Sequence, residues 1–576
     1  MPTSPARPVG PRVSSEEHAE RGRLHVADER DLARTASVTP LHRRPRRAVE
    51  SRLPAVAERP QTLRDASAAL LARRSDPAAE PDPVATRRQH AAGKLTARER
   101  ISHLLDDGSF VEVNGLARHR ATGFGMEDRR PDTDGVVTGW GTVDGRTIYV
   151  YAHDARIFGG ALGEVFAAKV QKIMDLAEST GAPIIGLNDG GGARIQEGIR
   201  ALAGFGGIFS RNVRASGVIP QISVMLGPCA GGAVYSPALT DFVFMVADTA
   251  KMFITGPDVV EAVTGEQISL EDLGGASVHS TQTGVATFVA DNEIECLEDV
   301  RYLLSFLPSN NREDPPYDFA ASKSADNCSD VLGIVPVEPH KAYDMRDVIA
   351  AIVDEGEYLE LHSQWARNIV CALARLDGHV AGVVANQPLV LAGALDIDAA
   401  EKAARFVRTC DAFNIPIVSL VDVPGFLPGS SQEHSGIIRR GAKLLYAYCE
   451  ATVPRVQVIL RKAYGGAYIV MDSKSIGADL CFAWPSNEVA VMGADGAANI
   501  IFRKDIATAE DPDARREELV ADYSQRLLTP YIAAEQGLID DVIDPRDTRA
   551  VLIRSLAVLR SKRQTSPQRK HGNIPL

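Results

Sequence analysis

A chain of 576 residues is too long for one hydrophobic core, so two domains with appendages are expected. Its 45% hydrophobic and 24% charged residues suit a soluble globular protein, and no apolar run reaches the ~18 residues of a membrane span. The net charge of −12 argues against nucleic acid as a partner but leaves room for small anionic ligands, which need only local positive sites.

Residues 1–60 hold twelve arginines, no lysine and eight acidic residues, with scattered prolines and little apolar periodicity. They are expected to form a disordered tail, without the apolar core of a secretory signal. From Thr62 a helical pattern places Leu63, Ala66, Ala69, Leu70 and Leu71 on one side. After a break at Pro81-Asp-Pro83, a second helix carries Lys94 to Ile101, whose basic residues suit a solvated face or a nearby phosphate. Residues 110–113, 135–143 and 146–151 read as strands, the last two joined by an Asp144-Gly145 hairpin turn.

Strands and helices then alternate: helix 163–179, strand 183–187, helix 194–216, strand 219–226. That order implies βαβ units and a mostly parallel sheet. The last strand runs into Gly227-Pro-Cys-Ala-Gly-Gly-Ala-Val-Tyr235, and a second copy of its core stands in Arg461-Lys-Ala-Tyr-Gly-Gly-Ala-Tyr468. Residues 310–329, rich in Pro, Asp, Asn and Ser, read as a linker between the two.

The repeat extends beyond the glycines. Gly160-Ala-Leu162 matches Gly393-Ala-Leu395, and Asp189 and Asp422 each follow the first glycine by 29 residues. Gly232-Ala233 and Gly466-Ala467 come 43 and 44 residues later, so the offset between copies stays at 233 or 234. The expected organisation is a tail (1–60), a first domain (61–309), a linker (310–329) and a second domain (330–576) of the same α/β fold.

A strand that ends in paired glycines and opens into a helix exposes backbone N–H groups, which stabilise an oxygen that gains negative charge. Two such turns suggest two oxyanions, although glycines also permit plain close packing. Each turn has a Gly-rich companion, Asp189-Gly-Gly-Gly-Ala-Arg194 and Val423-Pro-Gly-Phe-Leu-Pro-Gly429. The chain carries no G-x-S-x-G elbow, H-E-x-x-H, Walker A loop or post-strand G-x-G-x-x-G. Asp189 and Asp422 suit general acid–base work or loop fixing; His153, His279 and His434 stand singly and suit structural roles. Seven isolated cysteines without a C-x-x-C pair fit a reducing, cytoplasmic compartment and no metal site.

From about Thr62 to Leu576 the chain resembles the carboxyltransferase (β) subunit of biotin-dependent acyl-CoA carboxylases of the acetyl-/propionyl-CoA type. The resemblance rests on Gly93-Lys-Leu-Thr-Ala-Arg-Glu-Arg-Ile101, Phe158-Gly-Gly-Ala-Leu-Gly-Glu164, Gly191-Gly-Ala-Arg-Ile-Gln-Glu-Gly198 and Met252-Phe-Ile-Thr-Gly-Pro-Asp258. Val423 to Gly429, Gly436-Ile-Ile-Arg-Arg-Gly-Ala-Lys443 and Lys570-His-Gly-Asn-Ile-Pro-Leu576 extend it to the C terminus.

The resemblance implies two tandem crotonase-like (ClpP/crotonase) domains related by duplication. It also implies transfer of CO2 from carboxybiotin to the α carbon of a short acyl-CoA, the freed biotin taking the α-proton. Catalysis would fall to Gly232 and Ala233 at the thioester oxygen and to Gly466 and Ala467 at the biotin ureido oxygen. Substrate contacts are implied for Gly191, Gly192, Ala193, Arg194, Gly231, Gly425, Phe426, Gly465, Tyr468 and Ile469. Biotin would arrive on a biotin carboxylase/biotin carboxyl carrier (α) subunit, since this chain has no Met-Lys-Met motif. A homo-oligomer, commonly a hexamer, is implied, with each site shared between two subunits. A decarboxylase or transcarboxylase subunit is the neighbouring reading, and a non-catalytic CoA-binding scaffold a different one.

Three departures from the family pattern bear on specificity. Ile469 stands where Asp is common in propionyl-CoA-type members, which points towards acetyl-CoA. Gly190 stands where Ser is common and is expected to loosen its loop. Ala155-Arg156 replaces a Phe-Thr-like pair, so Arg156 is expected to meet a phosphate, a carboxylated substrate or solvent.

Overall fold

Two eight-stranded sheets carry the computed structural model, which describes residues 62–75, 83–319, 328 and 331–576. The expected tail, the break at Pro81-Asp82 and most of the expected linker after residue 319 lie outside the described residues.

The first sheet holds β1 (Val111–Glu112), β2 (Val136–Val143), β3 (Arg146–His153), β4 (Ile184–Gly190), β5 (Gln221–Ala230), β6 (Phe242–Val246), β7 (Lys251–Phe253) and β8 (Phe288–Ala290). Its order is β1-β2-β3-β4-β5-β6-β8, with β7 beside β5. The second holds β9 (Tyr358–Leu361), β10 (Ile369–Leu376), β11 (His379–Asn386), β12 (Ile417–Val423), β13 (Arg455–Tyr464), β14 (Leu480–Ala483), β15 (Glu488–Ala490) and β16 (Asp541–Val542). There the order is β16-β14-β13-β12-β11-β10-β9, with β15 beside β13. Both sheets begin with an antiparallel hairpin, β2–β3 or β10–β11, and continue parallel. Helices Glu164–Thr180 and Ile397–Ala412 make equivalent crossovers, so the expected α/β duplication is present.

The correspondence reaches single bonds. Leu162 bridges to Ala193 and Leu395 to Phe426, each 233 residues apart from its counterpart. Phe158, Gly159 and Gly160 all adopt left-handed backbone, as do Leu391, Ala392 and Gly393. Lys169 and Lys402, on the two crossover helices, are both buried and both point at main-chain carbonyls. Lys169 donates to Thr133 O and Val136 O, and Lys402 to His362 O, Trp365 O and Ile369 O. A buried ammonium is tolerable when carbonyl oxygens replace its water, and here each ties a crossover helix to the start of its hairpin.

One apolar core runs through both halves. It joins Val150, Ile185, Ile222 and Phe244 of the first sheet to Leu373, Val384, Ile417 and Ile459 of the second. Two further cores, one per half, cover the outer faces. All seven cysteines are free thiols, and six are buried. Among the described residues no helix is long and apolar enough to cross a membrane.

The strands run further than their apolar patterns suggest. β4 reaches Gly190 and β5 reaches Ala230. β5 is prolonged because Pro228, Cys229 and Ala230 find new partners in β7, at Lys251, Met252 and Phe253. Gly227 therefore lies within a strand, and the turn proper begins at Gly231.

Candidate active site: two oxyanion turns

At the end of β5 the chain passes through Gly231 at φ +62° into a short helical segment, Gly231–Val234, followed by Tyr235–Leu239. At the end of β13 it passes through Gly465 at φ +59° into the helix Gly465–Val470. Only glycine takes that conformation without strain, and it is what lets a strand fold directly into a helix N-terminus. The first N–H groups of such a turn have no acceptor within it, and the aligned peptide dipoles add positive potential. Gly232, Ala233, Gly466 and Ala467 occupy these first positions.

The two mouths differ in room. A Cβ at Gly232 would stand 3.2 Å from the Phe205 ring, whereas one at Gly466 would meet nothing within 4 Å. The flanks match again: the nearest atom to such a Cβ at Gly231 is Ile254 O, 3.8 Å away, and at Gly465 it is Val491 O, 3.1 Å away. Ile254 and Val491 are both exposed, as are Ile195, Ile199, Ile438, Ile500 and Ile501. Ile469 is 42% exposed, so in a single chain it faces solvent.

The companion loops lie against the turns. Gly192 has φ +91°, and a Cβ there would sit 2.9 Å from Ala230 O, the residue before Gly231. Gly191 is exposed and Ala193 half-buried, so this loop offers backbone to the surface beside the turn. In the second half Gly425 has φ +150°, and Phe426 packs on the helix Ile437–Glu450 at Gly441.

Arg194 is placed differently from what a ligand contact needs. It is 1% exposed, and its guanidinium donates to Asp134 Oδ1 (2.6 Å), Glu197 Oε1 (2.8 Å), Asp134 O and Ala161 O. It also stacks over Phe158 at 4.6 Å. With both terminal nitrogens of its guanidinium engaged inside the protein, Arg194 holds the loop.

The carboxylates at the strand ends are likewise committed. Asp189 pairs with Lys94 at 2.7 Å and Arg100 at 2.9 Å; Asp422 pairs with Arg461 at 3.0 Å and Lys462 at 3.7 Å. Both are buried, so the acid–base reading of these residues gives way to loop fixing. Arg100 is thus buried and Lys94 largely so, both turned onto Asp189 rather than onto an open solvated face. Their role escaped the sequence because a helix pattern does not say which basic residue turns into the core.

Two departures are corrected by the packing. Gly190 closes β4 rather than loosening a loop: it is buried, and a Cβ there would overlap Gly160 O and approach His153 Nδ1 to 2.9 Å. Arg156 is buried too, gripping both oxygens of Asp154 at 2.8 Å and Thr86 Oγ1 at 2.9 Å. It therefore fastens the helix Pro83–Ala91 to the end of the hairpin. His279 donates from Nε2 to Met252 O and pairs through Nδ1 with Thr283 Oγ1, a structural use, and His434 is exposed. Among the described residues no cluster of His, Cys, Asp or Glu is placed to hold a metal.

Residues 88–574 match the family model of the carboxyl transferase domain. The chain is 58% identical to the propionyl-CoA carboxylase carboxyltransferase subunit of Haloferax mediterranei, over 85% of this chain and 95% of that one. It is 56% identical to the methylmalonyl-CoA decarboxylase subunit alpha of Veillonella parvula, over 85% and 94%. Among solved structures, the transcarboxylase 12S hexamer with methylmalonyl-CoA bound superposes with a TM-score of 0.87 at 50% identity, covering 89% of this chain and 99% of that one.

Burial pushes the His153 pKa from 6.5 down to about 4; Asp189 opposes the shift and Arg100 adds to it. The unfolded chain therefore binds this proton below pH 6.5 and the folded chain only near pH 4, so stability falls as pH drops through that window. In His153→Gln, the pH dependence of melting between 6.5 and 4 should be shallower than in wild type, one group accounting for up to about 1.4 kcal/mol per pH unit. Parallel curves would show that the ring is not held neutral.

Proposed function

The chain belongs to the carboxyl transferase domain family, and we propose that it is the carboxyltransferase subunit of a biotin-dependent acyl-CoA carboxylase. The observation that carries this reading is the pair of matched turns, Gly231–Ala233 and Gly465–Ala467, each a strand opening through a left-handed glycine into a helix N-terminus. A reaction with two developing oxyanions needs two such holes.

The first turn takes the thioester oxygen on the N–H groups of Gly232 and Ala233, with the exposed backbone of Gly191 beside it. The second takes the ureido oxygen of biotin on Gly466 and Ala467, in a mouth open enough for the ring to approach. Gly425, Phe426 and Tyr468 line that side, while Arg194 keeps the Gly191–Ala193 segment in place. Biotin, brought as carboxybiotin by a partner carrier subunit, supplies the CO2 and the base for the α-proton. The chain itself then binds and orients both reactants, excludes water and holds the two oxygens as they gain charge.

The exposed apolar residues beside both turns support an oligomer in which the first half of one subunit faces the second half of another. The similarity to the transcarboxylase 12S hexamer supports six copies. The decarboxylase relative supports a second reading, in which the same half-reaction runs from a carboxyacyl-CoA towards biotin. Ile469 supports acetyl-CoA as a favoured substrate, with propionyl-CoA also accepted, because an apolar branched side chain replaces a carboxylate next to the second turn.

Free biotin is a sufficient acceptor for the test: malonyl-CoA plus biotin should give acetyl-CoA plus carboxybiotin. Gly466→Val should abolish this transfer and leave the oligomer mass unchanged, since the added side chain enters open space. Transfer at the wild-type rate would place the second oxyanion elsewhere. In the same assay Ile469→Asp should lower kcat/KM for malonyl-CoA relative to methylmalonyl-CoA by roughly 10-fold or more, the scale of one-methylene discrimination. An unchanged ratio would remove Ile469 from substrate choice.

A further inference from the structure

The two Asp–cation clasps occupy equivalent places but draw their cations from different parts of the chain. β4 and β12 each lose register with the next strand around their Asp, at Asn188/Gly190 and Val421/Val423. In the second half the cations come from the neighbouring strand itself: Arg461 and Lys462 lie on β13, three or four residues before Gly465. The backbone N–H of Lys462 also donates to Asp422. On β5 the position of Arg461 is taken by Gly227, where a Cβ would overlap Asp189 Oδ1 and reach Lys94 Nζ at 2.7 Å. The charge that β13 supplies locally is brought to β5 from nearly a hundred residues away.

Lys94 is delivered there by a built lead-in. Its own N–H donates to Gln89 O, Gln89 Nε2 donates to Leu95 O, and Leu95 N donates to Glu293. Thr96 and Glu99 then cap the helix Ala97–Leu104 reciprocally. Arg100, the second cation, is shared with Glu293 at 2.6 Å and 2.8 Å, so among the described residues Lys94 is the clasp cation that pairs with Asp189 alone. Past Asp189 the chain runs through Gly190, wedged against Gly160 and His153, to Gly192 against Ala230 and the turn at Gly231.

We propose that Lys94 is a positioning residue for the first oxyanion turn, acting through Asp189 on the Gly190–Ala193 loop and on Ala230. It does not touch substrate. Its ammonium fixes the Asp189 carboxylate beside Gly227, which sets where the loop and β5 meet and therefore where the N–H groups of Gly232 and Ala233 point. A displacement of an ångström at such donors is costly to the chemical step and nearly neutral to binding.

The proposal rests on the carboxyltransferase reading, and its test separates the two. Full-length wild type, Lys94→Met, Lys94→Arg and the surface control Arg98→Met are assayed with malonyl-CoA and free biotin. Melting temperature, oligomer mass and malonyl-CoA binding by calorimetry are recorded in parallel. Lys94→Met should lower kcat roughly 100-fold while KM and Kd for malonyl-CoA stay within about threefold. Lys94→Arg should recover most of the rate, and Arg98→Met, whose partner is Glu112, should match wild type.

If Lys94→Met does not fold, Lys94→Met/Asp189→Asn removes both charges together and should show the same loss of kcat. A wild-type kcat in the variant that folds, with or without a lower melting temperature, overturns the proposal and leaves the clasp purely structural. So does a loss confined to KM. A wild-type protein without transfer overturns the function reading instead.

Discussion

A strand that must end exactly where a helix begins has little choice of residue at the junction, and the whole chain follows from meeting that condition twice. Gly231 and Gly465 sit in the same left-handed conformation, and each opens a helical turn whose first N–H groups have no acceptor within it. Everything near them keeps side chains out of that space or holds backbone in place. Gly227, Gly190 and Gly192 give room for close approach, and Asp189 and Asp422 hold the strands that lead in. Backbone donors cannot be tuned by a local side-chain swap, so precision in placing them has to come from the scaffold.

That scaffold has been duplicated in its hydrogen bonds but not in the cations that clasp its strand-end aspartates. The bridges at Leu162 and Leu395, the three-residue left-handed turns and the buried lysines 169 and 402 are conserved between halves at one offset. The clasp on the strand-end aspartate is kept as a function while its cations change origin, from Arg461 and Lys462 on the strand to Arg100 on a distant helix and Lys94 in the segment leading into it. A buried carboxylate has to be paired, yet the pairing can be satisfied from any direction with space. A common core through both sheets joins the two halves within the chain, while Ile254 and Val491 stand exposed beside the two turns.

Much of this was legible in the residues because left-handed glycines and strand-end motifs leave a periodic trace. The repeat, the alternation of strands and helices and the two turns were all readable that way. Depth was not. Arg194, Arg156, Lys94 and Arg100 look alike on paper, each a basic residue near a glycine-rich segment, and all four turn inward onto carboxylates. The run of β5 past Leu226 was hidden because its extra residues include Gly and Pro, and only the pairing with β7 makes them strand. Gly190 read as slack, whereas its lack of a side chain lets Gly160 and His153 close upon it.

If each site combines the first turn of one subunit with the second turn of another, two inactive variants should complement each other. Co-expression of Gly232→Val and Gly466→Val chains tests it most directly, each variant being inactive alone. Random mixing should restore roughly a quarter of the wild-type transfer from malonyl-CoA to biotin, the share of heterologous contacts that pair two intact halves. No restoration in oligomers shown to contain both chains would contradict the account and place both turns of a site within one chain.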